Sequence, residues 1–152
     1  MIKELAFQKG WVGKTISRAE TVERLNPIIR EHILLNRSHD AVIRSIDDAE
    51  GRQILADAQK IARANVGKIA ETIYSCGGVA FNGTEVEPDD FDLGTGVAAL
   101  DALQKLEASL LETLDGESNI EHQMRTRAII GVLKESTEER LKSIRSLTKK
   151  MR

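Results

Sequence analysis

Residues 77–94 read GGVAFNGTEVEPDDFDLG, and the arrangement of the whole chain turns on what this stretch does. Two glycines open it and Gly94 closes it. Between them Val79, Phe81, Val86, Phe91 and Leu93 are spaced as if pinned to a groove while the acids face water. Its 18 residues can span roughly 60 Å when extended, whereas a helix of about 23 residues is only roughly 35 Å long. Such a link can run the full length of a bundle and start the next helix parallel to the one it leaves. The stretch is therefore expected to be an ordered crossover rather than a loose linker.

Working outward, two further breaks stand out: Asp47-Asp48-Ala49-Glu50-Gly51 before the link, and Asp115-Gly116-Glu117-Ser118-Asn119 after it. Together the three breaks leave four long segments, about 20–46, 52–75, 95–114 and 120–150. Each repeats its apolar residues every 3.5 to 3.6 positions and is far too long for a strand, so each is expected to be an amphipathic helix. The two short breaks should join antiparallel neighbours, giving two αα-hairpins. Composition agrees: the 152 residues are 3% aromatic, with two Pro and abundant Ala, Leu, Ile, Glu, Lys and Arg, as in an all-α chain. No internal repeat or low-complexity tract interrupts the pattern. The expected organisation is an N-terminal arm over residues 1–19 and a four-helix bundle over 20–152, with its crossover at about 77–94.

Two hairpins joined by one long crossover between the second and third helices is the connectivity of ferritin-like bundles, and over roughly residues 20–150 the chain resembles that superfamily. The resemblance is architectural. It implies, in the oxidases of the superfamily, two metals held by a Glu from each of two helices and a Glu-x-x-His from each of the other two. The i, i+3 spacing puts both ligands on one helix face. This sequence has no Glu-x-x-His. His32 follows Glu31, His39 precedes Asp40 and His122 follows Glu121, and adjacent residues diverge by about 100° around a helix. The iron chemistry is therefore not carried over.

The expected inward faces still hold polar groups. On the first helix Val22, Leu25, Ile29, His32, Asn36, His39, Ile43 and Ile46 form a heptad stripe, flanked by Ile28, Leu35 and Val42. On the second, Ile54, Ala58, Ile61, Ala62, Asn65, Ile69, Thr72 and Ile73 align, with Glu71 facing solvent. The third offers Leu100, Leu103, Leu106, Glu107, Leu110, Leu111 and Leu114. The fourth offers Thr126, Ile129, Ile130, Leu133, Thr137, Leu141, Ile144 and Leu147, with His122 near its start. Counting back from the last turn places Glu107 opposite about Arg127, and His122 near Glu112. A buried carboxylate without a partner costs several kcal/mol, so Glu107 requires a counter-charge, a metal, a proton or an outward rotamer. His32, His39 and Glu107 are the candidate metal ligands. The competing reading is a satisfied polar layer that fixes helix register, as a single buried Asn does in coiled coils. That reading is preferred, because the Glu-x-x-His pairs are missing and the two imidazoles, about 10 Å apart along the helix, cannot share one ion directly, so that each would need ligands from other helices.

Other features point away from familiar activities. Lys9-Gly10-Trp11-Val12-Gly13-Lys14-Thr15 looks like the deviant Walker A loop of partition-type ATPases and follows a possible strand, Ile2 to Phe7. Trp11 replaces a glycine that the phosphate cradle needs, and no run of parallel strands follows. Gly94-Thr95-Gly96-Val97-Ala98-Ala99 lacks the preceding strand of a dinucleotide fingerprint. Asp89, Asp90 and Asp92 do not fit a calcium loop and read as a solvated acidic turn before the third helix. Cys76 has no neighbouring His or Cys and reads as a helix-end residue. A net charge of −2 gives no basic field for nucleic acid or an anionic membrane. The single Cys and the absence of an apolar leader suggest a cytoplasmic setting. The expectation is a non-catalytic structural or interaction bundle without a cofactor, forming a homo-oligomer, in the simplest case a dimer. Ile2, Leu5, Phe7 and Trp11 of the arm would pack on the bundle or on a second subunit. The alternative is an oxidase or carrier with iron or another divalent metal at an atypical core site.

Overall fold

The computed structural model describes residues 15–83 and 93–152. Among them the chain forms four α-helices and no strand: α1 (Arg18–Ser45), α2 (Ala49–Ser75), α3 (Gly96–Glu117) and α4 (Met124–Met151). The expected strand at Ile2–Phe7, the Walker-like residues 9–14, the arm's Leu5 and Trp11, and Val86, Asp89, Asp90, Phe91 and Asp92 of the link lie outside the described residues.

Local chemistry sets the helix ends. The Ser17 side chain accepts a hydrogen bond from the Glu20 amide at 3.1 Å, and Asp48 accepts one from the Gly51 amide at 2.7 Å. Both are N-caps that satisfy donors left free in a first turn. After α2, Gly77 takes φ +83°, and the Gly78 amide returns to the Ile73 carbonyl at 3.0 Å. This left-handed stop is cheap only for glycine. Pro27 sits inside α1, which continues through it. It lies on the exposed side, where the Glu23 carbonyl deprived of an N–H partner faces solvent. The third helix continues through Gly116 to Glu117, past the expected end at Leu114, and α4 starts at Met124 rather than near Ile120.

Four pairs of helices pack: α1 with α2, α3 with α4, α1 with α3, and α2 with α4. The unpaired combinations therefore sit on the diagonals. Cross-helix contacts fix the directions. Glu31 of α1 meets Thr113 of α3, and His39 meets Glu107. Asp40 receives Gln59 and Arg63 of α2. Gly51 lies against Leu147 of α4, and Glu71 pairs with Arg125. Lys134 pairs with Asp115, and Arg152 with Asp101. Every packed pair is thus antiparallel. After Gly78, whose position lies against Val22, residues 79–83 follow α1: Asn26 bonds both the Val79 carbonyl and the Phe81 amide, Arg30 stacks over the Phe81 ring, and Gly83 lies beside Ile33 and Arg37.

The core is aliphatic, built from Leu25, Ile29, Leu35, Val42, Leu55, Ile69, Leu100, Leu103, Leu114, Leu133, Ile144 and their neighbours. Burying such side chains contributes about 1.5–3 kcal/mol each against leaving them in water. Two expected core residues are instead exposed: Ile61 at 47% and Leu106 at 39%. Each belongs to an i, i+3 step at the edge of its stripe, and in α2 the inward place goes to Leu55, Ala58 and Ala62. No helix among the described residues is long and apolar enough to cross a membrane.

Candidate functional site: a charged layer in the bundle core

Glu107 is the centre of the polar interior. Its heptad neighbours Leu100 and Leu114 and its near neighbours Leu103 and Leu110 are all buried, so the helix carries the carboxylate into the core with them. It has no solvent exposure. Its counter-charge is not Arg127, which pairs with Glu121 on the surface. The partner is Arg140 of α4, whose Nε donates to both carboxylate oxygens, at 2.9 Å to Oε2 and 3.2 Å to Oε1. His39 of α1 donates from Nε2 to Oε2 at 3.2 Å. Arg140 also donates from Nη2 to the Thr137 hydroxyl at 3.0 Å, and that hydroxyl donates to the Leu133 carbonyl.

The electrostatics follow from this arrangement. Burial favours a neutral Glu107, but the His39 hydrogen bond and the Arg140 charge and hydrogen bond outweigh it and hold the carboxyl below its ordinary range. Arg140 is 2% exposed and nevertheless keeps its charge, since guanidinium does not deprotonate in proteins. The layer is thus a buried ion pair braced by an imidazole.

His32 lies about two turns from His39 on the same face of α1, fully buried. Its Nδ1 bonds the Ile28 carbonyl at 2.9 Å; a carbonyl only accepts, so the proton resides on Nδ1. Burial is the main reason its pKa falls to about 4, with the Arg140 charge adding to the effect and the Ile28 bond and Glu107 opposing it. The ring is therefore neutral at neutral pH. The structure brings His39 and Glu107 into contact, while His32 has its own backbone partner. Among the described residues no group of three or more His, Cys, Asp or Glu side chains is placed to hold a metal ion.

A second buried pair closes one end. His122 donates from Nε2 to Glu117 at 2.7 Å, and Arg24 lies 3.6 Å from the same carboxylate. The expected neighbour Glu112 is instead exposed, because α3 extends one turn further than its apolar spacing indicated. The Ile16 amide donates to the Glu121 carbonyl, fastening the start of α1 to this end.

Sequence reasoning missed Arg140 and Glu117. For Arg140 a signal was present: it stands seven residues after Leu133 and seven before Leu147, both buried, and so occupies the α4 stripe itself. A charged residue on an apolar stripe marks the counter-ion for Glu107. No protein-family model matches the chain, and no curated protein matches it.

Proposed function

We propose that this chain is a ferritin-like bundle that serves as a non-catalytic structural or protein-interaction module and assembles as a homo-oligomer, most simply a dimer in the cytoplasm. One observation carries the reading: both oxygens of Glu107, the sole carboxylate in the middle of the bundle among the described residues, are engaged by Arg140, and one also by His39. A permanent cation already sits against the carboxylate that a divalent ion would need. The ferritin-like connectivity is supported by the four antiparallel pairings and by the course of residues 78–83, which leave the end of α2 and climb along α1. The oligomer is supported by the apolar residues of the arm, and by Ile61 and Val132, which stand exposed at 47% and 44% on α2 and α4.

The second reading is the metal-binding oxidase or carrier using His32, His39 and Glu107. It is favoured by one observation, that His32 Nε2 and His39 Nδ1 have no hydrogen-bond partner among the described residues. Metal analysis of untagged protein, iron and zinc titration, and light scattering separate the two. The structural reading expects no stoichiometric metal and a dimeric mass that changes when residues 1–15 are deleted. Tight stoichiometric binding that disappears in Glu107→Ala overturns it in favour of the metal site. A monomer indifferent to the deletion removes the oligomer.

A further inference from the structure

Six buried side-chain atoms around the charged layer have no hydrogen-bond partner among the described residues: His32 Nε2, Asn36 Oδ1, His39 Nδ1, Asn65 Nδ2 and Oδ1, and Arg140 Nη1. Buried polar groups are almost always paired, with protein or with ordered water. They lie on the inner faces of α1, α2 and α4 over about two helical turns. His32, Asn36 and His39 occupy successive turns of one α1 face. The antiparallel register that sets Asn36 and Asp40 against Gln59 places Asn65 beside the His32 level. Arg140 stands at the level of Ala58, and its guanidinium reaches back toward Thr137, the direction in which Asn65 lies on α2.

We infer that this layer is a buried water-binding site, in which internal water bridges the His32 and His39 imidazoles and the Asn36 and Asn65 amides to the free guanidinium nitrogen of Arg140. The pattern of unmet needs selects the occupant. With the ring proton on His32 Nδ1, three of the atoms (His32 Nε2, Asn36 Oδ1 and Asn65 Oδ1) accept, and Asn65 Nδ2 and Arg140 Nη1 donate. An anion would face three lone pairs, and a cation would face a guanidinium. Water donates and accepts, and at about three hydrogen bonds per molecule, about two waters satisfy the set. The layer approaches the surface on the α2–α4 side through Arg140. A groove of about 290 Å³ lined by Ile54, Asp57, Ala58, Ile61, Glu139 and Ser143 has Arg140 in its wall, and the small Ala58 and Ala62 precede Asn65 on the inner face of α2.

Oxygen-17 magnetic relaxation dispersion counts water held longer than nanoseconds. The wild type should exceed a His32→Leu/Asn65→Leu double variant by about two slowly exchanging molecules. Equal dispersion in two folded proteins overturns the site. Should the double variant fail to fold, diffraction from the wild type decides. Density for water within hydrogen-bond distance of His32 Nε2, Asn65 and Arg140 Nη1 supports the site. Direct pairing of these atoms with protein groups, or density for a metal ion or an organic solute, overturns it.

Discussion

Taking the protein from pH 7 to pH 5 charges the imidazoles of the unfolded chain, whose pKa is near 6.5, while His32 in the folded core stays neutral until about pH 4. A folded-state pKa below the unfolded value means that the unfolded state binds the extra proton. Stability due to this group is therefore fully present above pH 6.5 and drains as pH falls toward 4. Each pH unit within that window costs about 1.4 kcal/mol, so the loss reaches about 2 kcal/mol at pH 5 and about 3 kcal/mol at pH 4, where the folded ring is itself half-protonated. Two carboxyls need separating from this effect. Glu107 is held below its ordinary range, so its loss falls below about pH 4.5 and leaves pH 5 untouched. Glu31 is raised by burial against a Thr113 bond, so the folded state takes up its proton early and gains stability as pH falls. Urea unfolding of the wild type and of His32→Leu at pH 7 and pH 5 isolates the imidazole, because Glu31 and the other histidines cancel in the double difference. Leu removes the titration, and the Ile28 carbonyl that His32 also bonds retains its place in the helix ladder. The wild type should lose about 2 kcal/mol more than the variant between these pH values. An equal loss in the two proteins would mean that His32 is not a buried neutral ring, and the reasoning about the layer would fall with it.

Three further outcomes follow from the contacts. Glu107→Leu and Arg140→Met each strand a buried charge and should cost about 3–5 kcal/mol, while the double variant returns close to wild-type stability; additive losses in a urea-melt double-mutant cycle would show that the two do not act as a pair. Glu117→Gln removes the charge from the His122 bond and should cost about 1.5–3 kcal/mol, with faster amide exchange at Ile16 and residues 118–122 than in mid-helix, and unchanged exchange there would refute the closing role of this end. Gly78→Ala places a Cβ 2.5 Å from Val22 Cγ1 and 2.6 Å from Cγ2. Valine is stiff at χ1, so an overpacking cost of about 1–3 kcal/mol is expected in thermal melts, and a neutral result would mean that the start of the link does not press on α1.

Hydrophobic spacing made the helices legible because it reports burial directly. Leu25, Ile29, Ala62, Ile69, Leu103, Leu133 and Ile144 all lie inside as their periodicity indicated. It also singled out Glu107, His32 and His39, polar residues at apolar positions. It could not assign partners, since pairing across helices depends on register, and register was counted from the α3–α4 turn. The turn was placed too early: α3 runs on to Glu117 and α4 begins at Met124. The direct neighbour of Glu107 is displaced accordingly, and a long arginine side chain extends the reach further. Arg140 was overlooked for a related reason, as its charge kept it out of an apolar stripe whose seven-residue spacing it nevertheless obeys. Chemistry rather than periodicity identifies such a residue, by asking what neutralises a carboxylate that spacing has already buried.

The two buried pairs also supply what the aliphatic core lacks. Stripes of Leu, Ile and Ala on four similar helices tolerate sliding, because one aliphatic contact substitutes for another at small cost. A slip of α4 by one turn would carry Arg140 about 5.4 Å from Glu107, leaving two charges in the core at a cost of about 3–5 kcal/mol. His39 joins α1 to the same carboxylate, so one residue of α3 sets the height of both its neighbours. The second helix is fixed separately, through Gln59, which donates to the Asn36 carbonyl at 2.9 Å and to Asp40 at 2.6 Å. At one end, at a different height from the central layer, Arg24 of α1 lies 3.6 Å from Glu117 of α3, whose carboxylate also takes His122 of the α3–α4 turn. Two polar anchors at separate heights exclude both the slipped and the inverted arrangement, a role that a binding site for exchangeable metal would fill poorly. The interior is thus built to hold one register, which is the property that the proposed structural or interaction role would require of its core.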